Sequence, residues 1–271
     1  MLILPTFIDL PWTRPRVVVL EITGAIGVQV RAPEMLRTIK ALREDKNVHA
    51  VVIDIESGGG SAPVSDAIYR SVKRLSAKKP TIAYVGSGAL SGGYLIACAA
   101  REIRALPTAL VGSIGVIFTR PVVQELMEKV GVKVVTYHAG KMKGMLQPWH
   151  EPTLEEAEKV QGLTSEYYEW FVDTVAKARN LPAEKVREYA TGEPFTGVQA
   201  KEIGLVDHLG DFEETIDYAK SLVKAPEEPK LQYVRARRPL LDRLMARSAM
   251  SMADAVAARL EERFSPRIDL R

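Results

Sequence analysis

Three nearly unbroken apolar runs, each followed by glycines and then by a helix-forming stretch, constrain this chain more than any other feature. They are Val17-Val18-Val19-Leu20-Glu21-Ile22, Val48 to Ile55, and Thr81 to Val85. A strand with one wet face alternates apolar and polar residues, so runs without alternation belong to a sheet covered on both faces. Between them, Pro33 to Glu44 carries Met35, Leu36, Ile39 and Leu42 at helical spacing, and Pro63 to Leu75 reads as a second helix. Strand, glycine-rich junction and helix in repeated order predict an α/β fold of βαβ units with a mostly parallel sheet.

The pattern continues, less regularly. Ser91 to Ala100 reads as a buried helix, Val132 to Tyr137 as a strand, and Thr153 to Ala178 as a long helix opened by the capping box Thr153-x-x-Glu156. Shorter helices are predicted over Leu181 to Tyr189, Val198 to Ile203 and Asp211 to Val223. Pro226-Glu227-Glu228-Pro229 breaks the pattern and reads as a linker. Beyond it, Arg235-Ala236-Arg237-Arg238 leads into an amphipathic helix. The expected organisation is an N-terminal arm over 1–15, one domain over 16–225, and a linker with a basic helical tail over 226–271.

Composition excludes several classes. With 271 residues, 46% hydrophobic and 26% charged, the chain matches a soluble globular protein with a real core. Its net charge of +3 lies in the tail, where 10 basic residues face 7 acidic ones after Pro226; the rest balances at 27 against 27. A neutral body carries no electrostatic footprint for nucleic acid. Cys98 stands alone inside an apolar run, which implies a small buried hydrophobe and no disulfide. No stretch approaches the roughly 18 apolar residues of a transmembrane helix, and the N-terminus lacks the basic and apolar regions of a signal peptide. Gly86-Ser87-Gly88-x-x-Ser91 departs from a dinucleotide fingerprint at its third glycine, and Gly140-Lys141 lacks the hydroxyl of a phosphate loop. No cluster has metal-ligand spacing, so neither metal nor cofactor is expected.

Chemistry concentrates at strand-to-helix junctions, which in a parallel sheet lie beyond the carboxyl ends of the strands, where ligand sites fall. Ser57-Gly58-Gly59-Gly60 can present bare N–H groups to a ligand oxygen, or can be a flexible turn. Leu90-Ser91-Gly92-Gly93-Tyr94 places a hydroxyl where a helix starts. There it is either an N-cap or a nucleophile in a field that favours developing negative charge. Val111-Gly112-Ser113-Ile114-Gly115 sets a third serine between glycines, a turn hydroxyl unless something binds it. A serine nucleophile needs a base, and none of the four histidines (His49, His138, His150, His208) belongs to a triad pattern. Lysine is the other choice, and Gly140-Lys141-Met142-Lys143-Gly144-Met145 carries two among apolar neighbours. A solvated lysine holds its proton to about pH 10.4, so a lysine base requires a site that lowers this by about 3 units.

These pieces, with Thr196-Gly197-x-Gln199-Ala200 and Gly204-Leu205-Val206-Asp207-x-Leu209-Gly210, resemble in content and order the signal peptide peptidase A family of Ser–Lys proteases, from about Val17 to Thr215. The resemblance implies the ClpP/crotonase-like fold, Ser91 as nucleophile, Lys143 rather than Lys141 as general base, and Ser113 as the hydroxyl that orients the lysine. It places the oxyanion-hole amides at Gly58 and Gly92. It also implies ring-like homo-oligomers with sites completed between neighbours, and peptide substrates such as remnant signal peptides. Two positions depart from the family's pattern: Ser57 replaces a proline, which is expected to loosen the turn, and Gly144 replaces an acidic residue. The family's usual N-terminal membrane anchor is missing, so the expected location is cytoplasmic or peripheral to a membrane. Two other classes compete. A crotonase-like acyl-CoA enzyme would use the same two amides with a carboxylate base. A non-catalytic assembly module would act through its tail on a membrane surface or a neighbouring subunit.

Overall fold

The computed structural model describes residues 14–225 and 227–236. A six-stranded, wholly parallel sheet runs in the order β8-β5-β3-β2-β1-β9. Its members are β1 (Arg16–Thr23), β2 (Val48–Glu56), β3 (Thr81–Val85), β5 (Glu102–Ala105), β8 (His208–Leu209) and β9 (Lys230–Arg235). The apolar runs sit at its centre, as their lack of alternation predicts. Val17, Val19, Ala50, Val52 and Ile82 face Ile216 and Ala219 of α8 (Phe212–Ser221). Their alternates Val18, Leu20, Ile22, Val51, Ile53 and Ile55 have no exposed surface and point the other way. On that face α1 (Ala32–Glu44), α2 (Ala62–Ser76) and α3 (Gly92–Ala97) pack in succession, with α3 against β2.

A second sheet of three short strands carries the chemistry: β4 (Gly88–Leu90), β6 (Leu110–Gly112) and β7 (Pro194–Thr196), with β4 and β6 parallel and β7 antiparallel. β3 runs into β4 across two residues, and the bridge Ser57↔Ala89 joins the end of β2 to it. The remaining helices are α4 (Gln124–Lys129), α5 (Leu154–Arg179), α6 (Ala183–Tyr189) and α7 (Gly197–Glu202).

Three expectations need revision. Val132 to Tyr137 forms no strand; it is irregular and exposed along its whole length, with no neighbouring strand among the described residues to satisfy its backbone. Residues 230–235, expected in the tail, form β9 on β1, where the Lys230 N–H donates to the Pro15 carbonyl at 2.9 Å. The helix after Ser91 is six residues long and ends at Ala97, not Ala100. The capping box at Thr153 and Glu156 is present as read. The N-terminal arm through residue 13 and the basic tail helix from residue 237 lie outside the described residues.

Candidate active site

β4 ends at Leu90, whose partner in the ladder is Gly112, the last residue of β6. Ser91 and Ser113 therefore leave the small sheet side by side. The Ser91 N–H donates to the Gly112 carbonyl at 2.8 Å, and the Ser113 N–H to the Glu193 carbonyl at 3.0 Å. Both serines have positive φ, 51° at Ser91 and 50° at Ser113. A residue with a Cβ pays about 1–3 kcal/mol to stay there, and does so only where its surroundings over-determine it. Among the described residues the one other such non-glycine position, Asn180, ends α5 as a left-handed cap, an ordinary place.

Ser91 occupies the N-cap position of α3, and its carbonyl accepts from the Leu95 N–H at 2.9 Å. Its hydroxyl makes no capping bond and is thereby uncommitted. The glycine loop after β2 runs directly against it. A Cβ on Gly59, whose φ is +96°, would lie 2.8 Å from Ser91 Cβ and 3.0 Å from the Gly92 nitrogen. Glycine at 59 thus keeps open the space beside the serine and the first helical amide. Gly92 is closed on its other side, where a Cβ would overlap the Ser65 hydroxyl, whereas Gly58 has open space around it. Neither the Gly58 nor the Gly92 N–H has a backbone acceptor among the described residues.

Ser57 does not loosen this turn. It is buried, its hydroxyl donates to the Gly24 carbonyl at 2.7 Å, and the same oxygen accepts from the Gly59 N–H at 3.1 Å. Behind the serine, the buried Tyr94 hydroxyl donates to the Leu205 carbonyl at 2.8 Å. Arg179 holds the neighbouring turn, donating to both Asp207 oxygens at 2.9 and 2.6 Å and to the Gly204 carbonyl at 3.0 Å. Burial raises the Asp207 carboxyl, but the Arg179 guanidinium and the Ile103 N–H outweigh it and leave it below its ordinary range. Cys98 is buried, and burial pushes its thiol up to about 11, so it is inert packing.

The lysines sit in a different environment. Between Ile114 and Glu156 one residue, Gly144, is buried. Lys141 pairs with Glu155. Lys143 is exposed, and its ammonium has no salt-bridge or hydrogen-bond partner among the described residues, Ser91 Oγ included. The Ser113 hydroxyl donates to the Gly192 carbonyl at 2.9 Å, not to a lysine. The structure thus brings Ser91, Gly92, Gly59 and Ser113 together in one chain and leaves Lys143 outside their hydrogen bonding. Gly59 was legible as part of the triple glycine but carried no role of its own. Arg120 and His150, which fasten the lysine loop, gave no local signal: the acceptors of Arg120 lie 25 to 30 residues away, and those of His150 are backbone carbonyls, which carry no residue-type signature.

A separate open cavity of about 320 Å³, lined by Asp54, Glu56, Tyr84 and Phe212 among others, contains none of these residues. Among the described residues no cluster could hold a metal, and no helix is long and apolar enough to cross a membrane.

A family model, peptidase family S49, matches residues 73–226. A Synechocystis sp. protein named as a putative protease is 38% identical over 233 residues, covering 86% of this chain and 83% of the relative. The "Serine protease SPPA, chloroplastic" of Arabidopsis thaliana is 36% identical over 214 residues, covering 79% of this chain but 32% of that one. The chain therefore spans most of the first relative and about a third of the second. Among solved structures, a ClpP1 point mutant from Listeria monocytogenes matches with a TM-score of 0.51 and 17% identity, over 72% of this chain and 92% of that one. At that identity the likeness is one of fold, the ClpP-like fold that the family resemblance implies.

Proposed function

The chain belongs to peptidase family S49, and from that premise we propose that it is a serine endopeptidase with Ser91 as nucleophile and Lys143 as general base. The observation that carries the reading is the pair of strained serines at adjacent strand ends, one with an uncommitted hydroxyl facing a bare glycine loop. The neutral Lys143 amine takes the proton from Ser91 Oγ as that oxygen bonds to the scissile carbonyl carbon. The carbonyl π electrons move to oxygen, where the Gly58 and Gly92 N–H groups receive them. Such a donor contributes about 2.7–4 kcal/mol in the transition state. Collapse breaks the C–N bond, and Lys143 returns its proton to the leaving amine. Water then gives a proton to the same amine as its oxygen bonds to the acyl carbon, and collapse breaks the acyl C–O bond while Lys143 returns that proton to Ser91 Oγ. Ser113 gives its proton to the Gly192 carbonyl, which leaves its lone pairs to accept from a Lys143 N–H. That contact turns the amine lone pair toward Ser91.

Lys143 lies on a segment with exposed apolar side chains, among them Ile117 (90%) and Tyr137 (93%). Surfaces of this kind seek a partner. In this reading a second copy covers them and completes the site, in a homo-oligomer. The substrate is an extended peptide with small or apolar side chains near the cut, a remnant signal peptide being one such, met in the cytoplasm or at a membrane surface. The acyl-CoA alternative loses its ground with the family assignment. Peptide cleavage by Ser91→Ala, Lys143→Ala and Lys141→Ala tests the roles. The first two abolish it with the fold intact and the third retains it; full activity in Lys143→Ala with loss in Lys141→Ala reverses the choice of base.

A further inference from the structure

Gly144, the one buried residue between Ile114 and Glu156, follows Lys143 directly, and two side chains outside the proposed dyad, Arg120 and His150, converge on the loop it anchors. Arg120 donates through Nη1 to the Met145 carbonyl at 3.1 Å and the Gln147 carbonyl at 2.6 Å, and through Nη2 to the His150 carbonyl at 3.2 Å. The His150 ring lies between two more carbonyls, Glu151 at 2.7 Å from Nδ1 and Gly144 at 2.9 Å from Nε2. Carbonyls only accept, so both bonds form together only when both ring nitrogens carry protons. The loop is tied onward to the start of α4, where the Val123 N–H donates to the Pro148 carbonyl at 2.8 Å and the Glu151 N–H to Gln124 Oε1 at 3.1 Å.

We propose that Arg120 and the His150 imidazolium are positioning residues for Lys143, clamping its loop by the carbonyls that follow it and releasing it when His150 loses its proton. The proposal rests on the reading of Lys143 as the general base.

The groups that face His150 agree with this. From α5, the Glu156 carboxylate lies 4.0 Å from Nδ1 and favours the charged ring, while the Arg120 guanidinium opposes it. The bonds to the Glu151 and Gly144 carbonyls dominate and raise the ring above its ordinary value near 6.5. A raised value means that the clamp is complete below that pH and is lost as the pH climbs through the folded-state value. A lysine base works in the opposite sense, since only its neutral amine accepts a proton. Release of the clamp therefore lowers activity as His150 deprotonates.

The pH profile of peptide cleavage, with kcat and KM separated, tests this in the full-length protein and in His150→Gln, Arg120→Lys and Lys143→Ala. His150→Gln should lose about tenfold in kcat at pH 6 with KM unchanged, one charge-assisted bond's worth, and should lack the falling alkaline limb. Arg120→Lys, which keeps the charge but not the fork, should lose kcat and keep that limb. A His150→Gln profile that superimposes on the parent overturns the clamp while leaving the dyad standing, provided Lys143→Ala is inactive. An active Lys143→Ala overturns the dyad reading instead. Should His150→Gln fold poorly, hydrogen-exchange protection of residues 140–147 in the parent decides: protection that falls between pH 6 and 9 supports the clamp, and constant protection overturns it.

Discussion

The two halves of the proposed site are built in opposite ways. The nucleophile side leaves the small second sheet, which is joined to the end of β2 in the parallel one: Ser91 and Ser113 emerge from the adjacent strands β4 and β6, and every apolar residue of β1 and β2 is buried. The base side, residues 115–153, has a single short helix, α4, none of whose residues is buried, and is held by backbone carbonyls gathered on Arg120 and His150. A rigid core can keep a serine at a φ of 51° because strain is tolerated where packing over-determines the backbone. A loop without a core can hold a lysine only through polar clamps or a partner chain. One half is finished in a single chain, and in our proposal the other is left to assembly and protonation.

Predictions that break or sharpen this contrast run from large to small. Removing either chemical group should be nearly total: Ser91→Ala and Lys143→Ala each lower kcat by about 10⁴-fold or more, with thermal unfolding unchanged by calorimetry. Gly59→Ala attacks the finished half without removing a chemical group. Its Cβ fills the space beside Ser91 and the Gly92 amide, and kcat should fall by about 10²–10³-fold, the effect of losing one oxyanion donor. Arg179→Met leaves Asp207 without its partner. Unfolding in denaturant should show a loss of about 3 kcal/mol at pH 7. Because the Asp207 carboxyl is depressed, that pair stabilises above the ordinary carboxylate value and ceases to as the pH falls through the folded value, so the difference between parent and variant should close in acid. Ile117→Ser with Tyr137→Ser, on the unfinished half, should change the stability of one chain by under about 0.5 kcal/mol while shifting the sedimentation of the native protein toward the monomer.

The same contrast decides how much could be read from the sequence. β1, β2, β3, α1 and α2 were legible to within a residue or two, because unbroken apolar runs and a 3.6-residue spacing are local signals of burial. β4 and β6, three residues each, left no pattern, although they are what sets Ser91 beside Ser113; the glycines around them were visible, but not that Leu90 pairs with Gly112. Val132 to Tyr137 misled because its composition is that of a strand while its pairing partner is absent among the described residues, and apolar side chains there face outward. β9 was hidden because the proline-rich stretch before it reads as a linker, although the strand that follows pairs with β1. For the site, Ser91, Ser113 and the glycines could be named from their junctions. Arg120 acts on carbonyls 25 to 30 residues away, and His150 on nearby backbone carbonyls that any residue supplies, so no spacing rule points to either. Ser57 shows the converse: the loss of a proline suggested a looser turn, and only the folded chain reveals the two hydrogen bonds that replace its stiffness.

The central claim, that Ser91 is an acylated nucleophile served by Lys143, is tested most directly by treating the native protein with a peptidyl fluorophosphonate and locating the adduct by mass spectrometry in the parent and in Lys143→Ala. The account predicts one adduct, on Ser91, in the parent and at least a hundredfold slower labelling in Lys143→Ala (on the order of a general-base contribution). An adduct on another residue, or labelling of Ser91 at the parental rate without Lys143, would contradict it.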